Sequence, residues 1–249
     1  HHKGPHFSVR GPLNVPRPPQ GHPVLAQAGS SEAGKNLAAA HADVHFCFIN
    51  TVEEGLAYRA DLNRRLELKG RHSSDLKIIT GVLPVVLEDE TEEERRRQLE
   101  DSLIIDAVAI DLVSSYTRLD LTGLSPDSPL PALPDESEFD GIRTELALIK
   151  KYDPSLSIRE IGRRLVKSSS TWLVIGTAEH IADKLSALYE SNAVDGYNLM
   201  FPFLPTDFEA FTRGVVPLLQ AKGVFRKEYE PGTLRDRLGL NKPANRFLL

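Results

Sequence analysis

Short apolar runs alternate with amphipathic stretches along the first ninety residues of the chain. Residues 23–28 (PVLAQA), bounded by Gly21 and Gly29, predict a short buried strand. Residues 32–42 predict a helix with Leu37, Ala38 and His41 on one side, and residues 44–49 (VHFCFI) a second strand. Residues 52–69 predict a helix stopped by Gly70. Residues 76–87 (LKIITGVLPVVL) predict a third strand with a break over 81–84. Thr91 then opens a strongly charged helix, and Glu94 follows it at capping-box spacing. From 104 to 143 the pattern turns irregular. Residues 125–141 (SPDSPLPALPDESEFDG), rich in proline and acid, read as an exposed excursion. Helices follow over 143–152, over 157–167, where Ser157 and Glu160 again have capping-box spacing, and over 177–190, where Ile181, Leu185 and Leu188 share a face. A fourth strand over 197–201 (YNLMF) leads to a helix over 207–223, broken or re-entered at Pro217. Residues 1–21 read as loop and 229–249 as a tail.

Strand–helix alternation of this kind implies an α/β fold with parallel strands joined by crossover helices. Four strands are countable, with an insertion over about 88–170 before the last. A (β/α)₈ barrel needs eight strands in about 250 residues. The length suits such a barrel and the strand count does not. The whole of 1–249 reads as one domain.

Charge and composition narrow the partners. The 249 residues carry a net charge of −5 and 41% hydrophobic residues, enough for a core and without the basic face that phosphate backbones require, so nucleic acid is not expected. No apolar stretch is long enough to span a bilayer. The single cysteine, Cys47, sits in an apolar run and reads as core filler; it can build neither a disulfide framework nor a cysteine-based zinc site. No signal peptide is visible at HHKGPHFSV, so a cytoplasmic location is expected, and the absence of an initial Met points to a truncated start. The charge run over 88–101 pairs opposite signs at helical spacing and reads as a solvated helix face.

The candidate chemistry lies where the first strand meets the first helix. Gly29, Ser30 and Ser31 form a small polar turn that opens a helix. Small residues let the backbone come close, hydroxyls donate hydrogen bonds, and the helix end offers unpaired N–H groups, which together suit an anion. Plain helix capping explains the same serines, and the two roles are compatible. Gln27, one residue inside the strand end, points either into a barrel mouth or to a neighbouring strand. The eight histidines show no metal-ligand spacing, so no metal is expected. No Ser–His–Asp or Cys–His pairing is arguable from spacing, and catalytic residues stay unassigned. Asp195, Tyr197, Asn198 and Met200 flank the last strand and serve either a site or packing; residues 81–84 are either a bulge at a site or a simple break.

The run from Arg10 to Lys35 (RGPLNVPRPPQGHPVLAQAGSSEAGK) resembles the nitrilotriacetate, dibenzothiophene-sulfone and pristinamycin IIA monooxygenases of the bacterial luciferase-like family, and residues 194–211 and 218–240 have the same character. The resemblance implies the C-terminal half of a TIM barrel, strands five to eight, with the family's excursion before the last. It implies that AGSSEAG contacts the phosphate of FMN, with Ser31 a stronger contact than Ser30 and Gly29 in the same turn, and Gln27 is a further candidate for the cofactor site, touching flavin or substrate if it points into the barrel mouth. It also implies reduced FMN supplied by a separate NAD(P)H:flavin reductase, O₂ as co-substrate, a small organic substrate oxidised at a C–N, C–S or C–H position, and a homo-oligomer in the complete protein. The family's other flavin contacts have no match here. An incompetent fragment, or a half-barrel that needs a partner chain, therefore stands as the alternative.

Overall fold

The structure, a computed structural model, describes residues 1–12, 14–88, 90–133, 146, 149–167 and 172–245. The chain forms two compact units, one of residues 1–81, 182–199 and 216–249, the other of residues 82–181 and 200–215. Among the described residues no helix is long and apolar enough to cross a membrane.

The first unit opens with a small antiparallel pair, β1 (His2–Lys3) and β2 (Ser8–Val9), inside the stretch expected to be loop. Then come β3 (Ala26–Ala28), α1 (Glu32–His41), β4 (Val44–Cys47), α2 (Val52–Leu68) and the start of β5 (Lys77–Val86). These strands pair in parallel with Gln27, His45 and Ile78 in register. Parallel neighbours need crossovers, and α1 and α2 provide them. Ala38 and Ala39 are 0% exposed while Leu37 is 54% exposed, so α1 turns its small residues inward and not the expected Leu37 and His41. β3 also departs from expectation. It ends the strand order, and Leu25, Ala26 and Ala28 are exposed, so it is not a buried strand. α2 stops as predicted: Gly70 has φ of +69°, and the N–H groups of Gly70 and Arg71 donate back to Glu67 and Leu66. Cys47 is buried, and burial pushes its thiol up to about 12, in keeping with a core role.

β5 has no break over 81–84. It continues through Gly81 and Pro84 and changes partner there: 77–80 pair with β4, and 82–86 pair in parallel with β6 (Trp172–Gly176). Among the described residues β6 is a fifth strand in this parallel array, one more than the sequence pattern predicts. Its five residues are too few to separate from a stray apolar run. The fourth expected strand is β7 (Gly196–Leu199). Asp195 donates to Ile78 and Met200 to Val82, so the bonds advance along both chains together, as parallel pairing requires.

The second unit holds α3 (Glu90–Leu103), α4 (Asp106–Thr117), α5 (Ile158–Lys167) and β6. The region expected to be irregular contains α4. Its Val, Ile, Thr and Ser residues have weak helix propensity, and packing overrides it. Val113, Ile158, Ile161 and Leu165 form a core with Leu121 and Ile149. Gly162 permits this contact, because a Cβ there would lie 2.7 Å from the Ala109 carbonyl oxygen. Ser157 caps α5 as predicted: its hydroxyl accepts from the Glu160 N–H, and the Glu160 carboxylate accepts from the Ser157 N–H. The Thr91 side chain and residues 134–145 lie outside the described residues, and with them that capping box, the end of the acidic excursion and the start of the helix expected over 143–152.

α6 (Ala178–Glu190) buries Ile181, Leu185 and Leu188 as its pattern predicts. The expected helix over 207–223 is α7 (Thr206–Ala210), a π-helical turn (Phe211–Val215) and α8 (Val216–Ala221). Pro217 has no N–H for the Arg213 carbonyl, and the widened turn falls there. The tail is anchored rather than loose. In α9 (Leu234–Arg237), Arg235 is 2% exposed and donates to both Asp43 oxygens at 2.8 and 2.6 Å. Asp43 also accepts the Leu25 N–H at 2.9 Å, so one carboxylate ties the tail, β4 and the approach to β3 together.

Removing one partner of a buried ion pair strands the other charge and costs about 3–5 kcal/mol. Arg235→Ala in the whole protein is expected to lower the denaturant midpoint accordingly, while Arg237→Ala, on the exposed side of the same turn, leaves it nearly unchanged. Equal effects of the two substitutions in urea titrations would refute the clamp.

Candidate functional site

The polar turn lies at the C-terminal end of β3, the edge at which parallel α/β sheets bind ligands. Ser31 is the N-cap of α1, and its Oγ accepts the Gly34 N–H at 3.1 Å. The Lys35 N–H goes to the Ser31 carbonyl at 2.8 Å. The N–H groups of Glu32 and Ala33, in the first turn, have no acceptor within the helix. Gly29 has φ of +127°, a conformation that side chains disfavour. A Cβ on Gly34 would lie 2.4 Å from the Gly29 carbonyl oxygen. Both glycines of GSSEAG are therefore required by a turn folded tightly onto its own helix. Ser30 and Ser31 are exposed and approachable.

The charges beside the turn are balanced. Lys35 pairs with Asp61 at 3.1 Å, and Arg65 pairs with Asp61 at 3.0 Å and with Glu32 at 2.7 Å. Burial by itself would raise the Asp61 pKa, but Arg65, Lys35 and Arg64 together bring it down to about 2. These cations are already paired, so the turn itself presents backbone N–H groups and hydroxyls rather than a free positive charge.

Beneath the turn lies a polar chain that spacing does not reveal. Gln27 points to the neighbouring strand: its Oε1 is 2.7 Å from His45 Nδ1, and its Nε2 donates to the Ala28 carbonyl at 2.6 Å. His45 Nε2 is 2.8 Å from the Tyr58 oxygen, and the two rings stack 5.8 Å apart. Burial lowers the His45 pKa and raises that of Tyr58 to about 12, so both are neutral at neutral pH. Nothing in the spacing joins His45 and Tyr58 to Gln27, because only the register of β3 on β4 and the docking of α2 bring them together.

Of the residues flanking the last strand, Asp195 and Tyr197 have structural bonds. Asp195 accepts from Arg59 at 2.8 Å and from the Ile78 N–H at 2.7 Å, and the Tyr197 hydroxyl donates to Leu185. Asn198 is exposed. Met200 lines a cavity of about 420 Å³ within the second unit, together with Leu83, Leu103, Val108, Leu173 and Phe203. Its one charged lining residue, Glu100, is paired with Arg96. Arg96 also donates to Asp207, which is 3% exposed, and lies over the Phe203 ring. The charged run has the solvated face expected of it, and on its other side Arg96 pins it to Asp207. Among the described residues no cluster of three or more His, Cys, Asp or Glu could hold a metal ion.

The luciferase-like monooxygenase family model matches residues 1–196. Nitrilotriacetate monooxygenase component A of Aminobacter aminovorans is 40% identical over 98% of this chain and 54% of its own length. N-acetyl-S-(2-succino)cysteine monooxygenase of Bacillus subtilis (strain 168) is 39% identical over 99% of this chain and 56% of its own length. A solved riboflavin lyase, with modified FMN and its substrate riboflavin, superposes with a TM-score of 0.78 at 28% identity, over 98% of this chain and 54% of that one. The chain spans about half the length of these relatives.

Alanine ordinarily stabilises a helical position relative to glycine by about 1 kcal/mol. At Gly34 the sign is expected to reverse, since overpacking costs about 1–3 kcal/mol. Gly34→Ala should lower the melting temperature, and a melt at or above the parent's would show that the turn does not fold this closely.

Proposed function

This chain belongs to the luciferase-like monooxygenase family, and on that premise we propose that the whole protein is the oxygenase component of a two-component, FMN-dependent monooxygenase, of which this chain is the C-terminal half of a (β/α)₈ barrel. The observation that carries the reading is the turn at Gly29–Gly34, where a side chain on Gly34 would meet the Gly29 carbonyl and two exposed hydroxyls flank unpaired N–H groups. That chemistry fits a phosphate. Gly29, Ser30 and Ser31 would hold the FMN phosphate, with Gln27 supporting the turn from beneath. Reduced flavin, when bound, supplies the electrons with which O₂ is activated, and a separate NAD(P)H:flavin reductase supplies the reduced flavin. The solved relative with modified FMN supports a flavin ligand. The cavity of the second unit, lined by apolar residues apart from Glu100, would take the apolar part of a small organic substrate. Homo-oligomerisation and a cytoplasmic location belong to the same reading.

A hydroxyl bond to a charged phosphate contributes roughly 1.5–3 kcal/mol, whereas a lost helix cap costs roughly 1 kcal/mol. In the whole protein Ser31→Ala should therefore raise the FMN dissociation constant about ten- to a hundred-fold and move the melting temperature by only a few degrees. Ser30→Ala should act in the same direction with a smaller effect. An FMN affinity untouched by Ser31→Ala in fluorescence titrations would leave the turn as a helix cap and nothing more.

A further inference from the structure

The cavity of the second unit carries charge of one sign only. Leu103, Val108, Leu173, Met200 and Phe203 contribute to its apolar walls, and Glu100 is the one charged side chain among the described residues that line it. That charge is not cancelled by its partner. Arg96 gives both terminal nitrogens to Asp207, at 2.6 and 2.5 Å, and only its Nε to Glu100, at 3.4 Å. Asp207 is 3% exposed and also accepts the Phe203 N–H at 3.0 Å, so the guanidinium is held by the tighter and more buried of its two carboxylates. One guanidinium between two carboxylates leaves one negative charge over, and it falls on Glu100, half-buried at the cavity wall. Other arginines of the unit have carboxylates of their own: Arg97 pairs with Glu94, and Arg159 and Arg163 pair with Asp106.

We propose that this cavity selects an apolar amine, bound as its ammonium ion against Glu100, and rejects a carboxylate of the same shape. The inference rests on the reading of the cavity as the place of the organic substrate. An ammonium group gains a charge-assisted hydrogen bond from Glu100, strengthened by the apolar walls around it. A carboxylate in the same place would give up its water, find no donor on those walls and face a like charge. Arg96 is the one cation beside the cavity wall that could reverse this preference, and Asp207 prevents it: bidentate pairing below the Phe203 ring keeps the guanidinium from turning to an anion. Glu100 is thus the specificity residue, and Asp207 acts through Arg96 as a positioning residue.

Calorimetric titration of the whole protein with three probes of one shape, octylammonium, octanol and octanoate, tests this without turnover. Octylammonium is expected to bind about five- to tenfold more tightly than octanol, and octanoate more weakly than either. Glu100→Gln keeps the shape of the wall and removes its charge. It should bring octylammonium to the level of octanol, leave octanol unchanged and improve octanoate. Glu94→Gln, on the exposed side of the same helix, should change none of the three. Leu173→Trp, which fills the cavity from β6, should weaken all three. Octylammonium bound no more tightly than octanol overturns the inference, as does a preference that survives Glu100→Gln or is equally lost in Glu94→Gln. Octanol affinity untouched by Leu173→Trp overturns the reading of the cavity itself, and the inference falls with it. Octanol weakened by Leu173→Trp without discrimination among the probes leaves that reading standing and removes the amine preference alone.

Discussion

Parallel pairing of β3, β4 and β5 is the constraint on which the first unit depends. Parallel strands cannot be joined by tight turns, so each must be followed by a crossover helix, and each helix must then start at a strand's C-terminal end. The turn at 29–31 exists because of this rule. It ends a strand and opens α1, so its N–H groups point outward where no helical acceptor is available. The same pairing sets Gln27, His45 and Ile78 side by side, and α2 then brings Tyr58 over the His45 ring.

Charged side chains bind segments that apolar burial alone leaves loose. Arg235 closes on Asp43 and holds the tail against the start of β4. Asp195 accepts from Arg59 and from the Ile78 backbone, seating the entry to β7 on β5. Within the second unit Arg96 does the same for a helix of almost wholly polar sequence, closing on the buried Asp207 and stacking on Phe203. A buried ion pair is weak evidence for net stability, but it is strong evidence for register, since only one arrangement leaves both charges satisfied. In each of these three cases the pair ties segments far apart in the chain.

Glycine marks the places where backbones approach most closely. Gly34 against the Gly29 carbonyl and Gly162 against the Ala109 backbone are the clearest, one at a helix start and one between two helices. Gly55 is similar within the first unit, where a Cβ would meet the Ala193 methyl at 2.6 Å. None of the three has a positive φ, so their requirement is one of space and not of backbone conformation.

The alternation of apolar runs with amphipathic stretches was enough to determine the α/β class, four of the strands and their parallel sense, a serine cap at residue 30 or 31, the cap at Ser157, and the stop at Gly70; the structure places the first cap at Ser31. These follow from local periodicity and from groups within four residues of one another. The glycine–serine turn was legible for the same reason. What the tertiary structure alone decided depends on distance along the chain. β6 is a strand because β5 is long enough to pair with it beyond Gly81, and α4 is a helix because α5 covers it. Gln27 turns to His45 rather than outward because β4 is its register partner, and the tail is ordered because Asp43 lies 192 residues before Arg235. Periodicity carries no record of such pairings; they come into being only when the elements pack.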